Sequence, residues 1–362
     1  MEARQQALDF AGQQQQPSAK AAVLAKPDEH HHQEGVLTEI FNKALGKIGI
    51  QLSDRARGLI CLNLLVLLFA SNWVVIKDSE AAFDPFLFSF LRFTVAAAAF
   101  SPFLKAASKD KRVVKAGIEL GVWTAAGYLL QSYGLLTTDA SRASFLSTFT
   151  VIVVPILAGL SGRGVQPLTW FSAVAALCGM SLLEGGGSPP SIGDAWSFLS
   201  ALAFGVQVFR TEHWARTLGA RRALPLMSVV LAVTMACSLG VAVFAHPGTA
   251  LNLLEHPWLA QGMWEGGPHF PWQAALYTGL LTTDVCLLLE LTALRDVSSS
   301  EAAIIYALEP VLGAMFAYML LGERWGPLGW VGAGLIIASS LVTQLYGKEE
   351  GEPVLDSEEE SE

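Results

Sequence analysis

The chain has 362 residues, 52% of them hydrophobic and only 15% charged, with a mean hydropathy of +0.44. A soluble protein carries about a quarter charged residues, so composition excludes an ordinary water-soluble globule. The net charge of −9 comes largely from the tail EEGEPVLDSEEESE, and no nucleic-acid partner is expected.

Residues 1–57 read as a polar, cytosolic N-terminal region. Met1 to Gln33 contain a QQQQ run and the triplet His30-His31-His32. They hold too few apolar residues to bury a core, so disorder is expected and the histidines read as a solvated tract. The segment lacks a signal peptide's apolar h-region, and Asp9, Asp28, Glu29 and Glu34 do not suit a transit peptide. Over 36–52 the pattern changes. Val36, Leu37, Ile40, Phe41, Ala44, Leu45, Ile48 and Leu52 recur at helical spacing opposite Lys43 and Lys47, which predicts an amphipathic helix in the membrane interface.

From Gly58 onward the chain holds about ten apolar runs of membrane length, each roughly 20 residues. Their approximate limits are Gly58–Ile76, Pro85–Leu104, Val113–Leu136, Arg142–Leu160, Leu168–Leu183, Asp194–Phe209, Leu224–Ala245, Trp272–Leu294, Ala302–Leu321 and Leu328–Leu345. The expected fold class is an all-α integral membrane protein. Gly, Pro and charged residues punctuate the gaps, and 347–362 form an acidic tail expected to be disordered. Lys and Arg crowd alternate loops (Lys105, Lys109, Arg112, Arg163, Arg216, Arg221, Arg222), while the others hold only Lys77, Arg142 and Arg324. That bias puts both termini on the cytosolic side, or its stromal equivalent. Cys61, Cys178, Cys237 and Cys286 all lie in apolar runs without CxxC spacing. They read as small core residues, with neither disulfide nor zinc indicated and no cofactor expected.

The runs repeat. QSYGLLTTDASRAS (Gln131–Ser144) lies over ELTALRDVSSSEAA (Glu290–Ala303) at a spacing of 159 residues. One residue further on, Gly162 lies over Gly322, Pro167 over Pro327 and Trp170 over Trp330. FASNWVVIK in the first run matches FGVQVFRTE in the sixth weakly. The spacing contains an odd number of spans, so two such halves, 58–184 and 193–346, must be inverted in the membrane. Each half would hold five helices.

The same stretches carry a family resemblance. SNWVVIK, LRF, GLLTTDASRASFLSTFTVIVVP and SEAAIIYALEPVLGAMFAYMLLGE resemble the drug/metabolite transporter superfamily in its EamA-domain branch. The wording SPPSIGD with FRTEHWAR is most similar to plant and green-algal members, some of them associated with plastids. The resemblance implies two five-helix inverted repeats around a central cavity, and transport of a substrate. The membrane it implies is the plasma membrane or a plastid envelope.

An ionisable group inside a span is costly, so each is a site candidate by default. Arg92 is central in the second run, poised to meet an anionic substrate, to pair with Asp284, or to bond backbone carbonyls. Asn72 and Trp73 either line a cavity or serve helix packing and the interface. Gln131 is a ligand contact or interhelical glue. Tyr306 offers a hydroxyl or a stacking face. Asp284, Glu290 and Glu309 are the proton-coupling candidates, against the alternative of neutral acids bonded to a neighbouring helix. Pro155 and Pro310 are expected either to break their helices and free carbonyls beside the cavity or to be plain kinks. Arg210, Glu212 and His213 read as an interfacial charge cluster, and Gly179, Gly313, Gly332 and Gly334 as packing positions.

No GxSxG, HExxH or GxxxxGKS pattern occurs, so an enzyme is not expected. Phosphate cargo needs several cations for compensation, and Arg92 stands almost alone within the spans. The expected function is secondary active transport of small organic metabolites, amino-acid-like or amphiphilic, by alternating access with proton coupling. The alternative is a non-transporting membrane scaffold or sensor that reuses the fold.

Overall fold

The structure is a computed structural model that describes residues 53–82, 84–138, 140–184, 191–245, 272–320 and 326–347. The 1–33 tract, the amphipathic 36–52 run and the acidic tail beyond 347 lie outside the described residues. Among the described residues every regular element is a helix and none is a strand. In chain order they are α1 Asp54–Ala82, α2 Pro85–Ala107, α3 Lys111–Leu135, α4 Ala140–Ser147, α5 Thr150–Leu160, α6 Pro167–Glu184, α7 Ile192–Leu218 and α8 Ala223–Ala245. Then follow α9 Trp272–Leu276, a π-helical segment Tyr277–Val285, α10 Cys286–Ala293, α11 Ser299–Tyr306, α12 Leu308–Leu320 and α13 Pro327–Tyr346. Seven stretches among the described residues are long and apolar enough to cross a bilayer, and the broken rod Ala143–Leu160 and the rod Trp272–Ala293 are among them. This is a multi-pass membrane protein.

Local chemistry sets the helix ends. Asp84 accepts from the Phe86 and Leu87 backbone N–H groups, with Pro85 in the first turn of α2. Ser191 and Asp194 form a capping box at the start of α7. Ser298 accepts from the Glu301 N–H to start α11. Gly219, with φ of 69°, ends α7 in a conformation that favours glycine.

The packing is inside out by the standard of a soluble protein. Large apolar side chains such as Leu64, Leu67, Phe171, Val174, Trp330, Leu341 and Leu345 are exposed, as expected of faces whose solvent is hydrocarbon. The interior holds several apolar clusters. Leu62, Leu65 and Val66 of α1 pack with Leu294, Val297 and Ile305, and Leu120 of α3 packs with Leu226 and Leu231 of α8. Ala173, Ala176 and Met180 of α6 meet Ile304 and Ile336. Helix α2 lies along α8, α6 along α13, α3 along α7 and α10 along α1. At the α6–α13 crossing, a Cβ on Gly179 would lie 2.7 Å from the Gly332 carbonyl oxygen, so both backbones need the missing side chains to approach.

Two expectations are corrected here. Cys61 and Cys286 are buried but Cys178 is exposed, because its side of α6 faces outward, where a thiol is as well tolerated as in a core. Pro155 breaks nothing: it lies within α5. The interruption falls earlier, between α4 and α5, where Phe149 N–H bonds Leu146 O and Val151 N–H bonds Thr148 O in tight turns. There the Ser147 and Thr148 hydroxyls both donate to the Ser144 carbonyl, at 2.7 and 3.1 Å. Side chains that bond nearby carbonyls compete with the helix ladder, and these two adjacent hydroxyls outweigh one proline. Pro310 stands in the first turn of α12, and Ala307 separates it from α11.

Candidate functional site

The two interrupted rods, α4–α5 and α11–α12, face a common cavity of about 130 Å³. Its walls come from α1, α2, α3, α7 and α10 as well as from the two breaks. Of the residues singled out from sequence, Asn72, Arg92, Gln131, Glu290, Tyr306 and Glu309 all line it. Trp73 belongs to α1, but its side chain lies outside the described residues.

Arg92 is the cation of the cavity wall. Only 4% of it is exposed, and its guanidinium carbon lies 4.5 Å from the Phe93 ring centroid and 4.4 Å from that of Tyr128. Stacking between two rings replaces part of the hydration that burial removed. The Phe204 ring meets Tyr128 edge-on at 5.0 Å and extends the aromatic wall.

The acids sit opposite in kind. The Glu290 carboxylate accepts from Gln207 Nε2 at 3.0 Å, and the same amide nitrogen donates to Thr211 Oγ1 at 3.0 Å. Glu309 lies half-buried beside Pro310. The Tyr306 hydroxyl is buried without a hydrogen-bond partner among the described residues. Asn72 is oriented from behind, since Thr282 Oγ1 donates to its side-chain oxygen at 2.8 Å.

Asp284 is placed elsewhere. It is buried on the π-helical segment, it does not line the cavity, and neither carboxyl oxygen has a hydrogen-bond partner among the described residues. The pairing of Arg92 with Asp284 that the sequence left open is therefore not made.

Several wall residues were not singled out from sequence: Thr124, Tyr128, Thr148, Thr150, Phe204 and Gln207. Signals for three of them were present. Tyr128 stands one helical turn before Gln131, on the same face. Gln207 lies over Asn72, and Phe204 over Phe69, in the weak match between the first and sixth runs. The hydroxyls carried no signal, because Ser and Thr are common in any membrane helix.

The charge cluster on α7 divides between two sets of partners. Glu212 is fully buried because cations and donors surround it: Arg163 Nη1 at 2.7 Å, Arg216 Nη2 at 3.0 Å, and the backbone N–H and hydroxyl of Ser299 at 3.1 and 2.5 Å. A carboxylate enters low dielectric only with such compensation. Arg210 instead pairs with Glu119, which also accepts from Trp214 Nε1 at 3.1 Å.

Comparison with known proteins places these features in a family. The profile of the EamA-like transporter family matches residues 56–184 and 191–345. An uncharacterised transporter of Archaeoglobus fulgidus is 28% identical over 285 residues, 78% of this chain and 84% of the relative. The permease-like protein YdzE of Bacillus subtilis is 28% identical over 67 residues, 18% of this chain and 86% of that protein. A crystal structure described only as that of a protein superposes with a TM-score of 0.61 at 16% identity, covering 78% of this chain and 95% of the other. That likeness concerns the fold alone.

Proposed function

Since the chain belongs to the EamA-like transporter family, we propose that it is a secondary transporter of small organic metabolites. It would consist of ten spans arranged as two inverted five-helix repeats, with both termini cytosolic. The carrying observation is that the cavity wall is built in matched pairs. Tyr128 and Leu287, Gln131 and Glu290, Ser147 and Tyr306, Thr148 and Ala307, Thr150 and Glu309, and Val151 and Pro310 all line it, each pair separated by 159 residues. The two helix interruptions stand at the same spacing. A site made of equivalent positions from both halves suits two repeats that rock about it in alternating access.

The wall chemistry narrows the cargo. The stacked guanidinium of Arg92 and the carboxyl groups of Glu290 and Glu309 put both signs of charge in one wall, which suits a solute that itself carries both. The aromatic wall takes apolar bulk. At about 130 Å³ the space is well below the ~300 Å³ of a drug-sized pocket. Amino-acid-like or small amphiphilic solutes fit these terms, and sugar phosphates lack the cations they need. Glu290 and Glu309 are the groups placed to couple flux to protons. The test is uptake of radiolabelled amino acids into liposomes with and without a pH gradient. Saturable uptake abolished by Arg92→Ala and rendered pH-independent by Glu290→Gln or Glu309→Gln supports the proposal. Absence of saturable uptake across that solute class favours a scaffold or sensor.

A further inference from the structure

We propose that Glu212 and Glu301 form a latch that seals one end of the cavity, and that half-helix α11 is the arm it holds. This rests on the transporter reading above. The cavity wall reaches Ile76 and Leu135, toward the ends where α1 and α3 finish. Among the described residues, those around the first turn of α11 do not line this cavity. There Leu294, Val297, Ser299, Ser300 and Ala302 are each no more than 1% exposed.

Two buried carboxylates clamp the first turn of α11 at that end. Glu212 of α7 holds the Ser299 N–H and hydroxyl while it also binds Arg163 from the α5–α6 connection. Its negative charge sits at the positive end of the helix dipole. Glu301, 2% exposed, is gripped by both terminal nitrogens of Arg55 at 2.9 Å each. Backbone covers it: a Cβ on Gly347 would collide with the Glu301 carboxylate. The clamp therefore joins Arg163 of the first half, and Arg55 just ahead of it, to the second-half acids Glu212 and Glu301.

The other end of α11 is the cavity wall. Its eight residues span about 12 Å at 1.5 Å per residue, from Ser299 in the latch to Tyr306 in the wall. Beyond Tyr306 the rod is interrupted at Ala307, and Pro310 lacks the N–H that would mend the ladder. A short rigid arm, clamped at one end and hinged at the other, links the occupied site to the seal. Release of Ser299 and Glu301 lets α11 swing on Ala307 and opens a path to the side of Arg55. The interaction is a poor stabiliser by design, since a buried ion pair recovers little beyond its desolvation cost but breaks expensively if one partner is lost. That is the energetics of a two-state catch.

Native Cys61 reports the state. It is fully buried on α1, in the cluster with Ala293, Leu294, Val297 and Ala302, between Arg55 and the wall residue Phe69. In the full chain carrying Cys178→Ser, Cys237→Ala and Cys286→Ala, the labelling rate of Cys61 by a hydrophilic methanethiosulfonate is measured in detergent. Glu212→Gln and Glu301→Gln should each raise that rate about tenfold or more, a shift worth only about 1.4 kcal/mol. Arg55→Gln replaces either variant that does not fold. Gly121→Ala, which strains the α3–α8 crossing and none of the contacts of α11, should leave the rate at the parental value. A parental rate in the latch variants, or equal acceleration by Gly121→Ala, overturns the proposal. The readout needs no cargo: absent uptake with accelerated labelling rejects the transporter reading and leaves the latch, while intact uptake with unchanged labelling rejects the latch alone.

Discussion

Gly179→Ala and Gly332→Ala should destabilise the protein more than a methyl group ordinarily does. A Cβ on Gly179 would lie 2.7 Å from the Gly332 carbonyl oxygen, 2.8 Å from Ile336 Cγ1 and 3.1 Å from the Ile336 nitrogen. A Cβ on Gly332 would lie 2.7 Å from the Leu183 nitrogen and against the Gly179 carbonyl. Most of these atoms are backbone, so no rotamer change relieves the contact and α6 must move away from α13. Overpacking of this kind costs about 1–3 kcal/mol. At about 2–4 °C per kcal/mol for chains of 150–250 residues, the melting temperature in detergent should fall by roughly 2–12 °C. The double variant should fall by less than the sum, because one separation of the helices serves both methyls. Gly334→Ala, also in α13 but with nothing within 4 Å, is the control and should gain about 0.5–1 kcal/mol from helix propensity. Melting by intrinsic fluorescence reads the parent and all four variants. If Gly179→Ala melts at or above the parent while Gly334→Ala behaves as stated, the close crossing is wrong.

Tyr128→Leu should weaken solute binding and lower the melting temperature modestly, since it removes one of the two rings stacked on Arg92, a contact of roughly 1–2 kcal/mol when desolvated. Tyr128→Phe should change little in stability, and the pair of melting curves separates the ring from the hydroxyl. Arg92→Lys keeps the charge but not the planar stack, so solute affinity in an uptake assay should drop about 10- to 150-fold, in line with about 1.5–3 kcal/mol for a charged hydrogen bond. Gln207→Leu leaves the buried Glu290 carboxylate without its amide donor and should alter the pH profile of uptake. An unaltered profile refutes that coupling. Burial pushes the Asp296 carboxyl, in the turn after α10, above the ordinary value of 3.8. The unfolded chain then ionises first as pH rises, and the folded state loses stability from that point upward. Asp296→Asn should therefore raise the melting temperature at pH 7 and leave it unchanged near pH 3.

The solvent of this protein was legible from the chain alone, because a bilayer tolerates only backbones that bond themselves and so imposes long apolar runs. The candidate wall residues Asn72, Arg92, Gln131, Glu290, Tyr306 and Glu309 were legible for the same reason: polar groups are costly within such runs and stand out. Other features depend on neighbours from distant segments, and there sequence alone was silent or misleading. Glu212 looks interfacial beside Arg210 and His213, and only the approach of Arg163 and Ser299 makes its burial tolerable. Asp284 looks as good a proton-coupling candidate as Glu290, since both are acids within one apolar run, yet on its π-helical stretch it does not line the cavity. Pro155 looks like the hinge, but competition among the hydroxyls of Ser147 and Thr148 for nearby carbonyls decides where the rod breaks. Hydropathy acts residue by residue and survives in one dimension, whereas charge compensation and helix phase are properties of contacts, which exist only once the chain has folded.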